Sequence, residues 1–254
     1  MNKFFGTAVL AATLAVSGAA LAGEQISQGR AIDARAVKVK LGGIIDLHVK
    51  QGPTASLTII GDKRLIDKVS VVQQGDTLSI DTESRWHFST NDHAGLRAEL
   101  TLPNLNELSS HGVGASDVNG FTGNEIKVTL DGAGAVTVNS NYRNVVARLG
   151  GVGSMTFNAA AADQVDLALG GAGAISINGT SKLLRAQLGG VGSLDAKKLT
   201  ADKVVLDMSG LGGATVYART AADLKLSGLG SATVYGNPAT RNAEARGLGS
   251  VSWQ

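Results

Sequence analysis

The chain has 254 residues, of which 34 are Gly and 3 Pro, with no Cys, 4% aromatic and 17% charged residues and a formal charge of +2. Glycine is far too sparse for a collagen triple helix, the missing Cys excludes a disulfide-stapled fold, and 43% hydrophobic residues at near-neutral charge are too apolar for a disordered chain. The 23 basic and 21 acidic residues form no run dense enough to neutralise a row of phosphates, so nucleic acid is not an expected partner.

Residues 1–22 read as a secretory signal. Lys3 supplies the positive start, Phe4 to Val16 an apolar stretch, and Ala20-Leu21-Ala22 a cleavage site before Gly23. Thr7, Thr13, Ser17 and Gly18 interrupt the apolar run, which argues against a membrane span. The expected product is a soluble exported protein, periplasmic or extracellular, with no transmembrane segment once the signal is removed.

Residues 23–104 have ordinary strand and turn patterning. Ile45 to Val49 alternates, Leu57 to Ile60 is a short strand, and Asp62 to Asp67 suits one helical turn. Val69 to Val72 and Leu78 to Asp81 are expected to pair around Gln74-Gly75-Asp76, and Ala98 to Leu102 leads through Pro103 into the rest of the chain. The polar stretch from Glu83 to Gly95 reads as a surface loop carrying Trp86, His87 and His93. This β-rich part is expected to begin or cap the repetitive remainder of the chain.

From residue 105 to 254 one phrase recurs. Gly-x-Gly begins at Gly112, Gly132, Gly151, Gly171, Gly190, Gly210, Gly228 and Gly247, in steps of 20, 19, 20, 19, 20, 18 and 19. A fixed period near 19 predicts a solenoid in which each repeat is one coil. Period-two alternation flanks each glycine pair: Ile126/Val128/Leu130, Val165/Leu167/Leu169 and Val204/Leu206/Met208 before, Met155/Phe157, Ile175/Ile177 and Val251/Trp253 after. These residues should fill the lumen. Each coil then has two clear strands joined at a Gly-x-Gly corner and a shorter third side, such as 159–164. Parallel crossovers are overwhelmingly right-handed, so the expected fold is a right-handed parallel β-helix, all-β. Glycine suits the corner because the chain turns sharply there and the next coil leaves no room for a Cβ. Asn119, Asn139, Asn158 and Asn178 share one repeat position and should form an amide ladder, which lapses at Lys197, Tyr217 and Tyr235.

Several chemistries compete for the outside of such a rod. A calcium roll needs Asp where Met155, Ile175 and Leu194 stand, and no third glycine or helix supports a dinucleotide site, so neither metal nor cofactor is expected. A polysaccharide-active enzyme would need converging carboxylates. Asp207 and Asp223, with Arg185, are the nearest approach to that in columns whose signs otherwise alternate as on a solvated face. His48, His87, His93 and His111 are scattered. The outward column of Thr137, Thr156, Ser176, Thr215 and Thr233, broken by Asp195, is regular enough to raise ice binding as a lesser alternative, although Thr is also a good strand former. That column and Trp86 are the candidate binding residues.

The layout "DLHVKQG", "LTIIGD" and "LIDKVSVVQQGDTLSI" between Ile45 and Asp81, followed by "LTLPNLNELSSHGVGAS" and the Gly-x-Gly coils, resembles the auto-transporter adhesin head GIN domain family over roughly residues 35–254. The resemblance implies an exported bacterial protein with a β-helical fold and brings no catalytic motif. The expectation is therefore a non-enzymatic, adhesin-like structural or binding protein of the cell envelope, whose partner is a glycan or an envelope protein.

Overall fold

The computed structural model describes residues 25–82 and 95–254. Its elements are, in chain order, β1 (Gln25–Arg30), β2 (Lys38–Leu41), β3 (Asp46–Gln51), β4 (Ser56–Asp62), α1 (Lys63–Ile66), β5 (Val69–Gln74), β6 (Thr77–Thr82), β7 (Arg97–Leu102), β8 (Glu107–Ser110), β9 (Val113–Leu130), β10 (Ala133–Leu149), β11 (Val152–Leu169), β12 (Ala172–Leu188), β13 (Val191–Met208), β14 (Leu211–Leu226), β15 (Leu229–Tyr235), β16 (Thr240–Ala245) and β17 (Ser250–Trp253). They form a β-solenoid of about seven turns.

Each strand from β9 to β14 is almost a whole winding, starting at the middle residue of a Gly-x-Gly. Windings pair in parallel with equivalent residues opposite one another: Thr137 faces Thr156, Phe157 faces Ile177, Leu206 faces Leu224. The alternation read in the sequence holds: Val165, Leu167 and Leu169 are buried, as are Ile175, Ile177, Leu184, Ala186 and Leu188. Register shifts fall on the short third side, between Ala159 and Ala162 and between Ala196 and Thr200.

Glycine is required at the corner for the reasons the spacing suggested. A Cβ at Gly132 would lie 1.9 Å from the Gly112 carbonyl oxygen. Gly153 adds a backbone constraint, with φ of 145° and a built Cβ 1.8 Å from the Gly134 oxygen.

The stack begins earlier than the repeats do. Lys38–Gln51 already makes a winding: β2 pairs in parallel with β8, β3 with β9, and Ile44 bridges Val113 at the corner. A long excursion from the repeat pattern then precedes β8, although its β6 and β7 still pair in parallel with β2 and β3. Within this excursion β4 is antiparallel to both β1 and β7, and β5 and β6 pair around Gly75, as expected from Gln74-Gly75-Asp76. The single turn α1 is capped by Asp62, whose carboxylate accepts from the Arg64 N–H at 2.9 Å. Antiparallel strands thus cover the edge that a parallel stack would leave open.

At the other end the aliphatic filling changes character. Strand β16 is exposed throughout: Arg241 stands opposite buried Ala222 but is itself exposed, and its guanidinium lies 5.3 Å from the Trp253 ring. It also donates to the Pro238 carbonyl and the Asn237 side chain. Trp253, expected in the core, is therefore half-buried at the last winding, where an atypical coil caps the repeat. Tyr142 is the largest fully buried side chain; its hydroxyl donates to the Leu105 carbonyl at 2.6 Å, and burial pushes its pKa upward.

Candidate functional site

One flat side of the rod carries two adjacent polar rows. In the first, register places Thr58, Glu99, His48, Asp117, Thr137, Thr156, Ser176, Asp195, Thr215, Thr233 and Ser252 side by side across successive strands. The second, two residues along each strand and so about 6.7 Å away, runs Ser56, Thr101, Lys50, Asn119, Asn139, Asn158 and Asn178. The hydroxyl column read from the sequence is half-buried between its neighbours. Trp86, His87 and His93 lie outside the described residues, as does the segment 1–22.

The asparagine ladder is formed. Asn139 donates to Asn119 at 2.9 Å, Asn158 to Asn139 at 2.6 Å and Asn178 to Asn158 at 2.8 Å, all in one direction. Each bond uses one amide N–H and one oxygen lone pair, so the outer N–H and the second lone pair remain directed to solvent. Beyond Asn178 the chemistry changes to aromatic. Tyr217 stands opposite Tyr235, and the Lys197 ammonium lies 4.1 Å from the Tyr235 ring.

At the opposite end of the face, a groove of about 390 Å³ opens where β3 pairs with both β7 and β9, lined by His48, Lys50, Ser56, Thr58, Arg97, Glu99 and Thr101 among others. His48 Nδ1 is 3.1 Å from the Asp117 carboxylate, and Arg97 is 3.3 Å from Glu99. Taken end to end, the face offers a charged groove, then amides and hydroxyls, then two tyrosines in register.

The short third side carries a different pattern. Arg143 is 2.9 Å and Lys182 2.6 Å from Asp163, while Arg219 is 3.1 Å from Asp202. The Lys182 bond, then that of Arg143, holds the Asp163 carboxyl below its ordinary range. Charges of opposite sign on successive windings satisfy one another here.

The carboxylates considered for catalysis are not directly opposite one another but stand as diagonal neighbours on adjacent strands. Asp207 lies opposite Lys225 and Asp223 opposite Asn242, while Arg185 is 3.9 Å from Asp166 instead. His111 is 3.7 Å from Asp131, several windings from Asp207. Among the described residues no cluster of three or more His, Asp or Glu is placed to hold a metal.

Two features were not recognised in the sequence as functional. Tyr217 and Tyr235 registered only as breaks in the ladder, although their position in an outward column was legible. The second is the middle residue of Gly-x-Gly. These side chains form an exposed aliphatic column down one corner: Ile44 is 38% exposed, Val113 50%, Val152 61%, Val191 57%, Leu211 47%, Leu229 56% and Leu248 85%, with Ala133 and Ala172 between. The signal was the absence of any polar residue at that position in all eight copies.

Comparison with solved structures places the fold in a known group. A putative adhesin from Parabacteroides distasonis superposes with TM-score 0.83 at 20% identity, covering 91% of this chain and 98% of that one. One from Parabacteroides merdae gives 0.78 at 16% identity, covering 91% and 97%. A putative lipid binding protein from Parabacteroides distasonis gives 0.75 at 21% identity, with the same coverage of 91% and 97%. At these identities the likeness concerns the fold alone. No curated protein matches the chain. The family model described as "putative auto-transporter adhesin, head GIN domain" matches residues 37–238. With most of its length so matched, and with the β-helical fold in place, the chain belongs to the head GIN domain family of adhesin-like proteins.

Proposed function

We propose that the protein is an exported, non-enzymatic binding module of the bacterial envelope, periplasmic or extracellular, that takes a glycan or protein surface on its flat polar face. The observation carrying this reading is the register of the face. Hydroxyls of Thr137, Thr156, Ser176, Thr215 and Thr233 repeat at one strand spacing beside the amides of Asn119 to Asn178. Sugar chains offer hydroxyl groups in similar succession, and each has donors and acceptors to meet both. Tyr217 and Tyr235 supply ring faces, whose apolar bodies and polar tips suit a partly wet contact. Trp86 is a further candidate aromatic contact. Family membership and the adhesin names of the structural relatives support the same reading.

The experiment is a glycan array probed with the protein, alongside a polysaccharide-degradation screen. Binding that is lost on Asn158→Asp/Tyr235→Ala and kept in Asp207→Asn/Asp223→Asn is the expected result. Degradation by the wild type that disappears in Asp207→Asn/Asp223→Asn would replace the binding module with an enzyme.

A further inference from the structure

We propose that the Gly-x-Gly corner is a lipid-facing keel, by which the rod lies lengthwise on a bilayer with Val152, Val191, Leu211 and Leu229 entering the boundary between headgroups and acyl chains. The fold itself does not ask for aliphatic groups there. The two glycines are dictated by the neighbouring carbonyls, but the residue between them points outward and leaves about half its surface in water. A column of exposed Val and Leu along a rod is an apolar surface of the kind that marks a protein or membrane contact.

Three observations select lipid over a second protein. The backbone of this corner is already satisfied: the N–H of Val152 donates to Gly132 at 3.0 Å, that of Val191 to Gly171 at 2.9 Å and that of Leu211 to Gly190 at 3.0 Å. Such a backbone can leave water without stranding a polar group, the condition a lipid environment imposes. The flanks are uncharged: the positions bordering the Gly-x-Gly triplets between residues 150 and 231 hold only Gly, Ala and Ser. Finally, the surface is a narrow convex edge. Three residues wide and eight steps long, it measures on the order of 400 Å², about half the ~800 Å² each partner contributes to a stable protein pair. A convex edge of that size is poor for a rigid partner, whereas a lipid layer conforms to it and binding grows with the apolar area inserted. Over the stretch 150–231, where no basic residue flanks the triplets, the keel has no preference for anionic headgroups.

The test uses protein expressed from the full sequence and vesicles of pure phosphatidylcholine. Wild type should co-sediment with the vesicles. Val191→Ser/Leu211→Ser/Leu229→Ser should bind at least about tenfold more weakly at an unchanged melting temperature, and Leu229→Ser alone roughly threefold more weakly. Asp202→Asn, on the short third side away from both the corner and the polar face, should bind as wild type does. Wild type remaining in the supernatant at every lipid concentration overturns the proposal. So does a triple variant that binds undiminished, or a wild-type dimer in sedimentation velocity that the triple variant dissolves, which would make a second copy the occupant.

Discussion

At the Gly-x-Gly corner the chain turns where the preceding winding's carbonyl lies under 2 Å from where a Cβ would sit, as at Gly132 and Gly153. At the asparagine corner the turn is held by side chains that bond along the axis, Asn158 to Asn139 and Asn178 to Asn158. Both corners run in register along the rod and both face outward. In the first, the fold fixes the glycines and leaves the residue between them unconstrained. In the second, the outward side chain is itself part of the turn. An aliphatic column at the unconstrained position therefore calls for an explanation outside the fold, whereas the amides serve structure and surface together.

Substitutions can separate these roles. The largest effect belongs to neither corner but to the lumen that both enclose. Leu169→Asp places a charge among buried aliphatics and should abolish cooperative unfolding, while Thr156→Asp on the outside should leave it intact; thermal denaturation followed by circular dichroism distinguishes them. Next comes Gly153→Ala, which combines an unfavourable φ with a backbone clash and should cost roughly 3–5 kcal/mol in urea titrations. Its neighbour Val152→Ser should change stability by no more than about 0.5 kcal/mol. If the two changes cost alike, the division of labour at that corner is wrong.

Asn158→Ala removes two ladder bonds on a solvated edge and should cost about 1 kcal/mol by the same titration. A cost near zero would reduce the ladder to a surface ornament. The smallest effect is electrostatic. The Asp163 carboxyl is held below its ordinary value by Lys182 and Arg143, so the folded chain releases that proton more readily than the unfolded one. The stability this lends is complete above the usual aspartate value of about 3.9 and is lost as pH falls through the lowered one. Asp163→Asn should therefore show a shallower loss of melting temperature below about pH 4 than wild type, by a modest margin because the cluster is open to solvent.

Much of the fold was legible because a solenoid writes its geometry into the chain at one period. Leu167, Thr156 and Asn158 could each be assigned inward, outward or to the ladder from alternation and spacing alone, and the register pairs confirm them. The winding at Lys38–Gln51 was harder to see. Its corner reads Gly42-Gly43-Ile44, not Gly-x-Gly, and some fifty residues without the repeat pattern separate it from the winding it pairs with at β8 and β9. Pairing across that distance is decided by packing and leaves no local pattern. The candidate site was partly legible. The hydroxyl column emerged from periodicity, but the continuation of its rows through His48, Lys50 and Thr101 depends on strands brought together from the excursion.

The central claim is that successive windings stack in register, so that columns distant in sequence form one surface. The chain has no Cys, so Thr137→Cys/Thr233→Cys can be spin-labelled without background. Five windings separate these positions in the register, which puts their backbones about 24 Å apart. Pulsed electron–electron resonance should give a single narrow distance distribution near that value, widened only by the label arms. A broad distribution, or one centred beyond about twice that distance, would contradict the stack and with it the continuous face.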